Sequence, residues 1–511
     1  MTPRRSRSAI ALLVSAMLLA SCGTRLPEEA FVQSGTVAVG ANGDATDEAG
    51  RTTATTVAAR TGGGSSDDGA AAAGTDPAAG GPAGAPDAGG PSGGAGAEAA
   101  PASGAAAGPN QASDVGVTET TLKLGAIVAE NGVLGDAFAP AARGIRAWVG
   151  AVNAAGGIHG RKVELATCDD REDRSRSLSC AKRLVEQDQV FAIVVTNTRA
   201  LGGAAPYLAE RQIPVFGIPI NNAFYRWSNF FSIYGGPYAR DGNEVGHQEQ
   251  LRSMSGHYRW FKENLGVKKA AVVAYDVKES AQAGAFIAKG LELEGYEVNT
   301  YTVSFAAPSF DQVVADMQRK GSEIVFDAMD DGANRRFCDT LARRGYRVKA
   351  KVSTIVAMGQ SVGQDFNEQC RNVIYISGSS VAYSQTQVPV VKEFRDAYDR
   401  YQPGQELHQW AFEAYVLGKV FAQGMEALGP APTRRALIDR FNARADDVVI
   451  EGALISQAYQ PADFSAERAK HCITIARWRD DAGGYVQATD PFPLCYPDAH
   501  QYFTPVAERG D

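Results

Sequence analysis

From residue 121 onward the chain switches repeatedly between short, continuous apolar runs and longer stretches that carry a single apolar stripe. TLKLGAIVA (121–129) is apolar almost without a break, the pattern of a strand buried on both faces of a parallel sheet. The following FAPAARGIRAWVGAVNAAGG spaces Ile145, Trp148, Val149 and Val152 as one face of a helix lying on such a sheet. The alternation continues through KVELATC, SLSCAKRLVEQ, VFAIVV, LGGAAPYLAERQ, IPVFGI and NFFSIY. A βαβα series of this kind predicts a parallel, doubly wound α/β sheet. A second series follows in KAAVVAY, AGAFIAKGLELEG, EVNTYTV, FDQVVADMQRKG, EIVFDAM, RRFCDTLARRG and VKAKVSTIV, so two lobes of similar build are expected. Between the two series a long helix is expected from about Gly242 to Asn264, capped by Asp241. After them come a strand at NVIYIS, helices around VVKEFRDAYDRY, HQWAFEAYVLGKVFAQGMEAL and TRRALIDRFNARA, and a terminal strand at KHCITIARWR.

The chain has 511 residues, more than one ordinary core accommodates. Residues 35–113 are almost entirely Gly, Ala, Pro, Ser, Thr and Asp, too poor in bulky apolar surface to offset the entropy of ordering them. They read as part of a disordered tether over 22–116, which leaves roughly 400 residues for two lobes. The start of the chain reads as an address. Arg4, Arg5 and Arg7 precede AIALLVSAMLLA, an apolar run of signal-peptide length and short for a membrane span. It ends in Leu19-Ala20-Ser21-Cys22, which resembles the lipobox of bacterial lipoproteins. That resemblance implies a signal peptide over 1–21 and a lipid on Cys22; the competing reading is an ordinary signal peptide.

Setting Cys22 aside leaves six cysteines, an even number suited to an oxidising compartment. Their clustering favours sequential disulfides: Cys168 with Cys180, Cys338 with Cys370, and Cys472 with Cys495. Metal ligation competes weakly, because no pair has CxxC spacing or two histidines close by. The net charge of −8, with no basic stripe, gives no reason to expect a nucleic-acid partner. The six histidines are scattered and form neither a metal pair nor part of a nucleophile motif, so no enzyme, metal or cofactor is expected.

The segment 153–170, NAAGGIHGRKVELATCDD, ends a helix and precedes a strand, the reverse of a dinucleotide loop. Gly156 and Gly157 fit a helix C-cap, His159 a turn, and Asp169 and Asp170 a loop that they cap or through which they touch a ligand. With the elements around it, from LKLGAIVA to VFAIVV, this segment resembles the opening of the leucine/isoleucine/valine-binding family of type I periplasmic solute-binding proteins. The carriers are Asn153 to Ile158, the Gly160-Arg161-Lys162 turn, Asp169-Asp170, and the helix from Ala181 to Val185. The resemblance implies two α/β lobes joined by a three-strand hinge, lobe 1 over 117–235 plus 378–455 and lobe 2 over 236–377 plus 456–511. It also implies a monomeric, extracytoplasmic receptor that closes on a small polar solute and delivers it to ABC permease subunits. A sensor or surface-interaction lipoprotein is the alternative, since the long tether exceeds what reaching a permease requires.

Ligands of open α/β sheets bind beyond the carboxyl ends of the strands. Those edges carry Asn131 and Leu134 after strand one, Asn197, Thr198 and Arg199 after strand three, and Asn221 and Asn222 after strand four. In lobe 2 they carry Ser280 and Asp330. The resemblance places Asn221 where a hydroxyl would help to grip both ends of an amino acid, and Arg199 near a helix N-terminus that receives a carboxylate. Arg199 reads equally as a solvent-facing cation. Asp330 and Asp331 read either as partners for a cationic group or as an N-cap for the helix after them. Lobe 2 shows Met358 and Gln360 where an acidic residue is expected, which argues against a standard branched-chain amino acid. Among the aromatic residues after strand four, one of Tyr225, Tyr234 or Tyr238 is expected to face ligand, and the others to pack the lobe.

Overall fold

A computed structural model describes residues 108–132, 135–220, 222–234, 250–355, 358–378, 380–443, 448–450, 454–456 and 465–505, all within one compact unit. The signal-like segment, Cys22, most of the tether, Leu134, Asn221, Tyr238 and Asp241 lie outside the described residues.

The first sheet holds β1 (Thr121–Val128), β2 (Lys162–Asp169), β3 (Ala192–Asn197), β4 (Val215–Gly217) and β5 (Phe230–Ser232), in the order β2-β1-β3-β4-β5 with every pair parallel. Helices α1 (Gly135–Ala154), α2 (Arg174–Lys182) and α3 (Ala205–Glu210) connect its strands. The turn after α1 needs glycine: Gly157 has φ +81°, and a Cβ there would lie 1.9 Å from the Arg161 carbonyl oxygen.

The second sheet is built on β6 (Gln250–Met254), β7 (Lys269–Tyr275), β8 (Glu297–Val303), β9 (Ile324–Ala328), β10 (Ala350–Ser353) and β11 (Ile374–Gly378). Helices α4 (Gly256–Leu265), α5 (Lys278–Leu293), α6 (Asp311–Lys320), α7 (Asp331–Arg343), α8 (Val362–Asp365) and α9 (Glu368–Arg371) accompany them. The chain then returns to the first lobe with α10 (Pro389–Tyr401), α11 (Gln409–Leu428) and α12 (Arg434–Asn442). It makes a hairpin of β12 (Val448–Ile450) and β13 (Leu454–Ser456), and closes the second sheet with β14 (Arg468–Arg479), β15 (Gly484–Gln487) and β16 (Leu494–Pro505). The order is β6-β16-β14-β11-β10-β9-β7-β8: the βα strands are parallel, and β14, β16 and β6 add an antiparallel wing.

The expected helix from Gly242 is corrected here. Residues 250–254 are strand β6, and the helix begins at Gly256. The physical reason is a long-range ladder, in which Ser253 pairs with Tyr502 and Arg252 with Phe503. Local periodicity cannot anticipate a partner some 250 residues away.

Each sheet is covered on both faces. One cluster, with Leu124, Phe138, Trp148, Phe394 and Phe412, fills a face of the first sheet and continues through Met358 and Met329 into the second. Tyr258, Phe261, Phe326 and Ile473 fill the second sheet's other face, and Ile127, Leu184, Ile193 and Phe224 the first's. Helices α1 and α11 touch backbone to backbone, so that a Cβ at Gly144 would stand 2.0 Å from the Ala411 carbonyl oxygen. The three sequential disulfides are all formed: Cys168–Cys180 joins β2 to α2, Cys338–Cys370 joins α7 to α9, and Cys472–Cys495 bridges directly opposed residues of β14 and β16.

The segment before β1 is tied to the amino end of the first sheet. Buried Arg161 donates to the carbonyls of Thr118 at 2.7 Å, Gln111 at 3.1 Å and Pro430 at 2.6 Å. Asp114 caps α12 through the Arg434 amide at 2.7 Å.

Candidate functional site

At the carboxyl edge of the first sheet, the polar side chains bind mostly one another. Asp169 accepts the amides of Glu130 (3.0 Å), Asn131 (3.4 Å) and Arg171 (3.0 Å), and the Asn131 carboxamide at 2.7 Å. Burial works to raise its pKa, but these hydrogen bonds outweigh it and the carboxyl lies below its ordinary value. Asp170 is fully enclosed and accepts the Thr198 hydroxyl at 2.9 Å and the Glu172 amide at 3.0 Å. Here burial wins, and the pKa is raised. Thr198 also caps the 3-10 turn Arg199–Gly203 through the Ala200 amide at 3.0 Å. Arg199 forks onto Glu172, with Nε at 3.0 Å, and its guanidinium stands 5.9 Å from the Phe305 ring of the second lobe. Asn197 is buried, with its amide 3.4 Å from the Phe138 carbonyl. Asn222 opens a 3-10 turn ending at Tyr225. Phe224, Phe230 and Phe231 are core residues, while Tyr234 donates its hydroxyl to Glu413.

The second sheet meets this edge with a different set. The Ser280 hydroxyl accepts the Tyr275 amide at 2.7 Å and donates to the Ala328 carbonyl at 2.6 Å, tying the ends of β7 and β9. Asp330 is the N-cap of α7, accepting the Ala333 amide at 3.0 Å and the Tyr275 hydroxyl. Asp331 pairs with Arg335 at 3.3 Å, and Arg335 reaches Asp365 at 3.2 Å. Burial raises the Asp331 pKa to about 6; Arg335 opposes the rise and Asp365 adds to it.

Between the lobes lies a cavity of about 520 Å³. Asp136, Pro140 and Arg143 of α1, with Glu406 and His408, line it from the first lobe. Asp330, Asp331 and Arg335 of α7, with Gly359, Ser361 and Asp365, line it from the second. The volume falls in the range of small-molecule sites, and carboxylates outnumber guanidinium groups on its wall. Beside it the lobes are clasped by backbone: the Gln360 amide donates to the Leu407 carbonyl at 2.9 Å, and the Gln409 amide to Met358 at 3.0 Å. The Glu406 carboxylate adds the Ser361 amide at 2.8 Å.

Of the expected site residues, the structure brings Asp330 to this cavity. It places Asn131, Asn197, Thr198 and Ser280 on the two sheet edges with their side chains engaged inside their own lobes, and Arg199 between Glu172 of its own lobe and the Phe305 ring of the other. Sequence reasoning did not foresee Asp136, Arg143, Glu406 and His408. Asp136 and Arg143 stand on α1 and Glu406 and His408 just before α11, and their approach to α7 depends on how the lobes meet. No group of three or more metal-ligating side chains occurs among the described residues, and no described helix is long and apolar enough to cross a membrane.

Two α/β lobes, one on a parallel sheet and one on a mixed sheet with a parallel βα core, with their carboxyl edges lining one cleft, define the type I periplasmic binding fold. Residues 121–484 match the model of the family described as Periplasmic binding protein, and the chain belongs to that family. A Leu/Ile/Val-binding protein homolog 7 from Brucella suis biovar 1 (strain 1330) is 22% identical over 293 residues, 55% of this chain and 70% of the relative. Among solved structures, the fatty acid ABC transporter substrate-binding protein from Thermomonospora curvata superposes with TM-score 0.58 at 14% identity, covering 76% of this chain and 95% of that one. An ABC transporter solute-binding protein from R. palustris in complex with benzoate gives TM-score 0.54 at 14% identity, covering 74% and 97%. The family consists of extracytoplasmic substrate-binding proteins, which bind small solutes and interact with ABC permeases.

Proposed function

We propose that this chain is a lipid-anchored receptor that captures a small polar solute, amino-acid-like, an amide or a related molecule, between its lobes and delivers it to an ABC importer. The observation that carries the reading is the inter-lobe cavity, whose wall takes charged side chains from α1 on one side and α7 on the other. A solute touching both walls favours the closed arrangement by its differential affinity, which is all that a reversible receptor requires. No catalytic residue, cofactor or metal enters the scheme, and a monomer suffices. The lobes are taken as 117–235 plus 378–455 and 236–377 plus 456–511, with Cys22 as the lipid site. Leu134, Asn221, Asn222 and Tyr238 are retained as ligand-binding candidates.

Thermal-shift screening across amino acids, amides, short peptides, polyamines and aromatic acids tests the reading, and a screen without any stabilising solute would sink it. Asn221→Ala is expected to weaken the hit by about 1 kcal/mol or more, and unchanged affinity removes Asn221 from the site. Cys22→Ala is expected to release the protein from the membrane fraction. The second reading, a sensor on the same fold, is favoured by the tether: a flexible chain of about 80 residues has an end-to-end spread near 50 Å. Adjacent genes for a permease and an ATPase favour import; an adjacent sensor kinase favours signalling.

A further inference from the structure

Residues flanking two of the chain's crossings between the lobes meet on one carboxylate, and the strand after the third crossing joins them at one remove. Glu413, in the second turn of α11, is fully buried. It accepts the Tyr234 hydroxyl at 2.7 Å on Oε2 and the Ser380 hydroxyl at 2.5 Å on Oε1. Tyr234 follows β5, where the chain leaves the first lobe, and Ser380 follows β11, where it returns. The Ser380 carbonyl accepts the Thr474 hydroxyl at 2.9 Å, and Thr474 lies on β14, the first long strand after the third passage. Gln409, one turn earlier on α11, donates to Ser380 Oγ and the Val381 carbonyl, each at 2.9 Å, and accepts the Tyr383 amide at 2.9 Å.

A buried carboxylate without a cation is an unfavourable choice for stability alone, because a well-packed apolar side chain avoids its desolvation cost. The partners of Glu413 are hydroxyls, groups that both donate and accept. Toward an ionised carboxylate, Tyr234 and Ser380 donate; once the carboxyl holds a proton, it donates to one of them and that hydroxyl turns round. We propose that Glu413 is a positioning residue beside the hinge, whose carboxyl group holds the chain's exit from the first lobe and its return against α11 and resets the open–closed balance of the lobes when it takes up a proton. The inference rests on the receptor reading above, in which the lobes move against each other.

Burial pushes the Glu413 pKa up to about 7, against the lowering effect of the hydrogen bonds from Ser380, Tyr234 and Gln409, so both forms are populated near neutral pH. Of the titratable groups facing it, Tyr234 from the end of β5 is pushed well above the ordinary phenol value, by burial first and by Glu413 second, and stays neutral. Tyr225 stands behind Tyr234, and His408 at the cap of α11 turns Nδ1 to the Trp410 amide at 3.1 Å. Among the described residues no lysine or arginine contributes to the Glu413 shift.

The test is single-molecule energy transfer in the full chain without solute, with dyes on non-natural amino acids replacing exposed Lys182 and Lys289 on opposite lobes. From about pH 5.5 to about 8.5 the open-to-closed ratio is expected to change by about fivefold or more, with a midpoint near neutral. Glu413→Gln is expected to hold the low-pH ratio throughout. Ser380→Ala, which removes one donor and keeps the carboxyl, is expected to move the midpoint to higher pH. A flat wild-type profile, or a midpoint that survives in Glu413→Gln or stays fixed in Ser380→Ala, overturns the proposal. No solute is present, so a failed solute screen strikes the receptor reading alone, and a flat profile in a protein that binds solute strikes this one alone.

Discussion

Asp327 in the second lobe and Glu413 at the hinge are both sealed from water, and they are satisfied in opposite ways. Asp327 holds the Lys351 ammonium at 2.6 Å and the Ser353 hydroxyl at 2.8 Å, and Lys351 also donates to the Asn334 carboxamide. That cluster carries its own countercharge, and its members sit on β9, β10 and α7, all in the second lobe. Glu413 has no countercharge among the described residues, and its ligands, Tyr234 and Ser380, stand where the chain leaves the first lobe and where it returns. A buried ion pair with fixed geometry welds a unit; a buried carboxyl held by reversible hydroxyls suits a joint.

The largest effect should come from breaking the weld. Lys351→Met strands the Asp327 carboxylate and is expected to cost about 3–5 kcal/mol in denaturant unfolding. The double variant with Asp327→Leu should recover much of that loss, and failure to recover it would mean that Lys351 acts through packing. Next comes the joint. The folded-state pKa of Glu413 is raised above its ordinary value near 4.5, so the folded protein binds the proton more tightly than the unfolded chain does. Its contribution to stability is therefore fully present below about pH 4.5 and lost as pH rises through about 7. The stability of wild type relative to Glu413→Gln should fall by roughly 2 kcal/mol between about pH 5 and 8, by urea denaturation. Burial lowers the pKa values of His257 and His471, which titrate with the opposite sign but are common to both proteins, so the difference isolates Glu413. Smaller again is Thr198→Val, which takes one donor from buried Asp170 and should cost about 1–2 kcal/mol. The smallest belongs to Arg199→Met. Its guanidinium is about one-third exposed, and the pair with Glu172 should contribute less than about 1 kcal/mol.

The sequence declared the two sheets because buried parallel strands such as VFAIVV and KAAVVAY leave a local signature. It declared the disulfides because each pair is close in sequence, and it offered the N-cap as one of two readings of Asp330, because an acid just before a helix can take up its free amides. It concealed β6 and β16, whose strand character arises only when Ser253 meets Tyr502. It also concealed the cavity wall, since Arg143 and Arg335 come from separate lobes. One signal was present and went unused: Glu413 and Lys351 are charged residues inside otherwise apolar runs, AFEAYVL and AKVS. A charge in that position must find partners across the fold, and here the partners mark the joint and the weld.

The grip of Arg161 on the segment before β1 has a mechanical consequence. Tension arriving along the chain at residue 108 passes through Gln111 and Thr118 into Arg161, Pro430 and the end of α11, all in the first lobe. A pull from that side loads one half of the molecule only. The second lobe supplies none of these contacts, so it lies off this line of force.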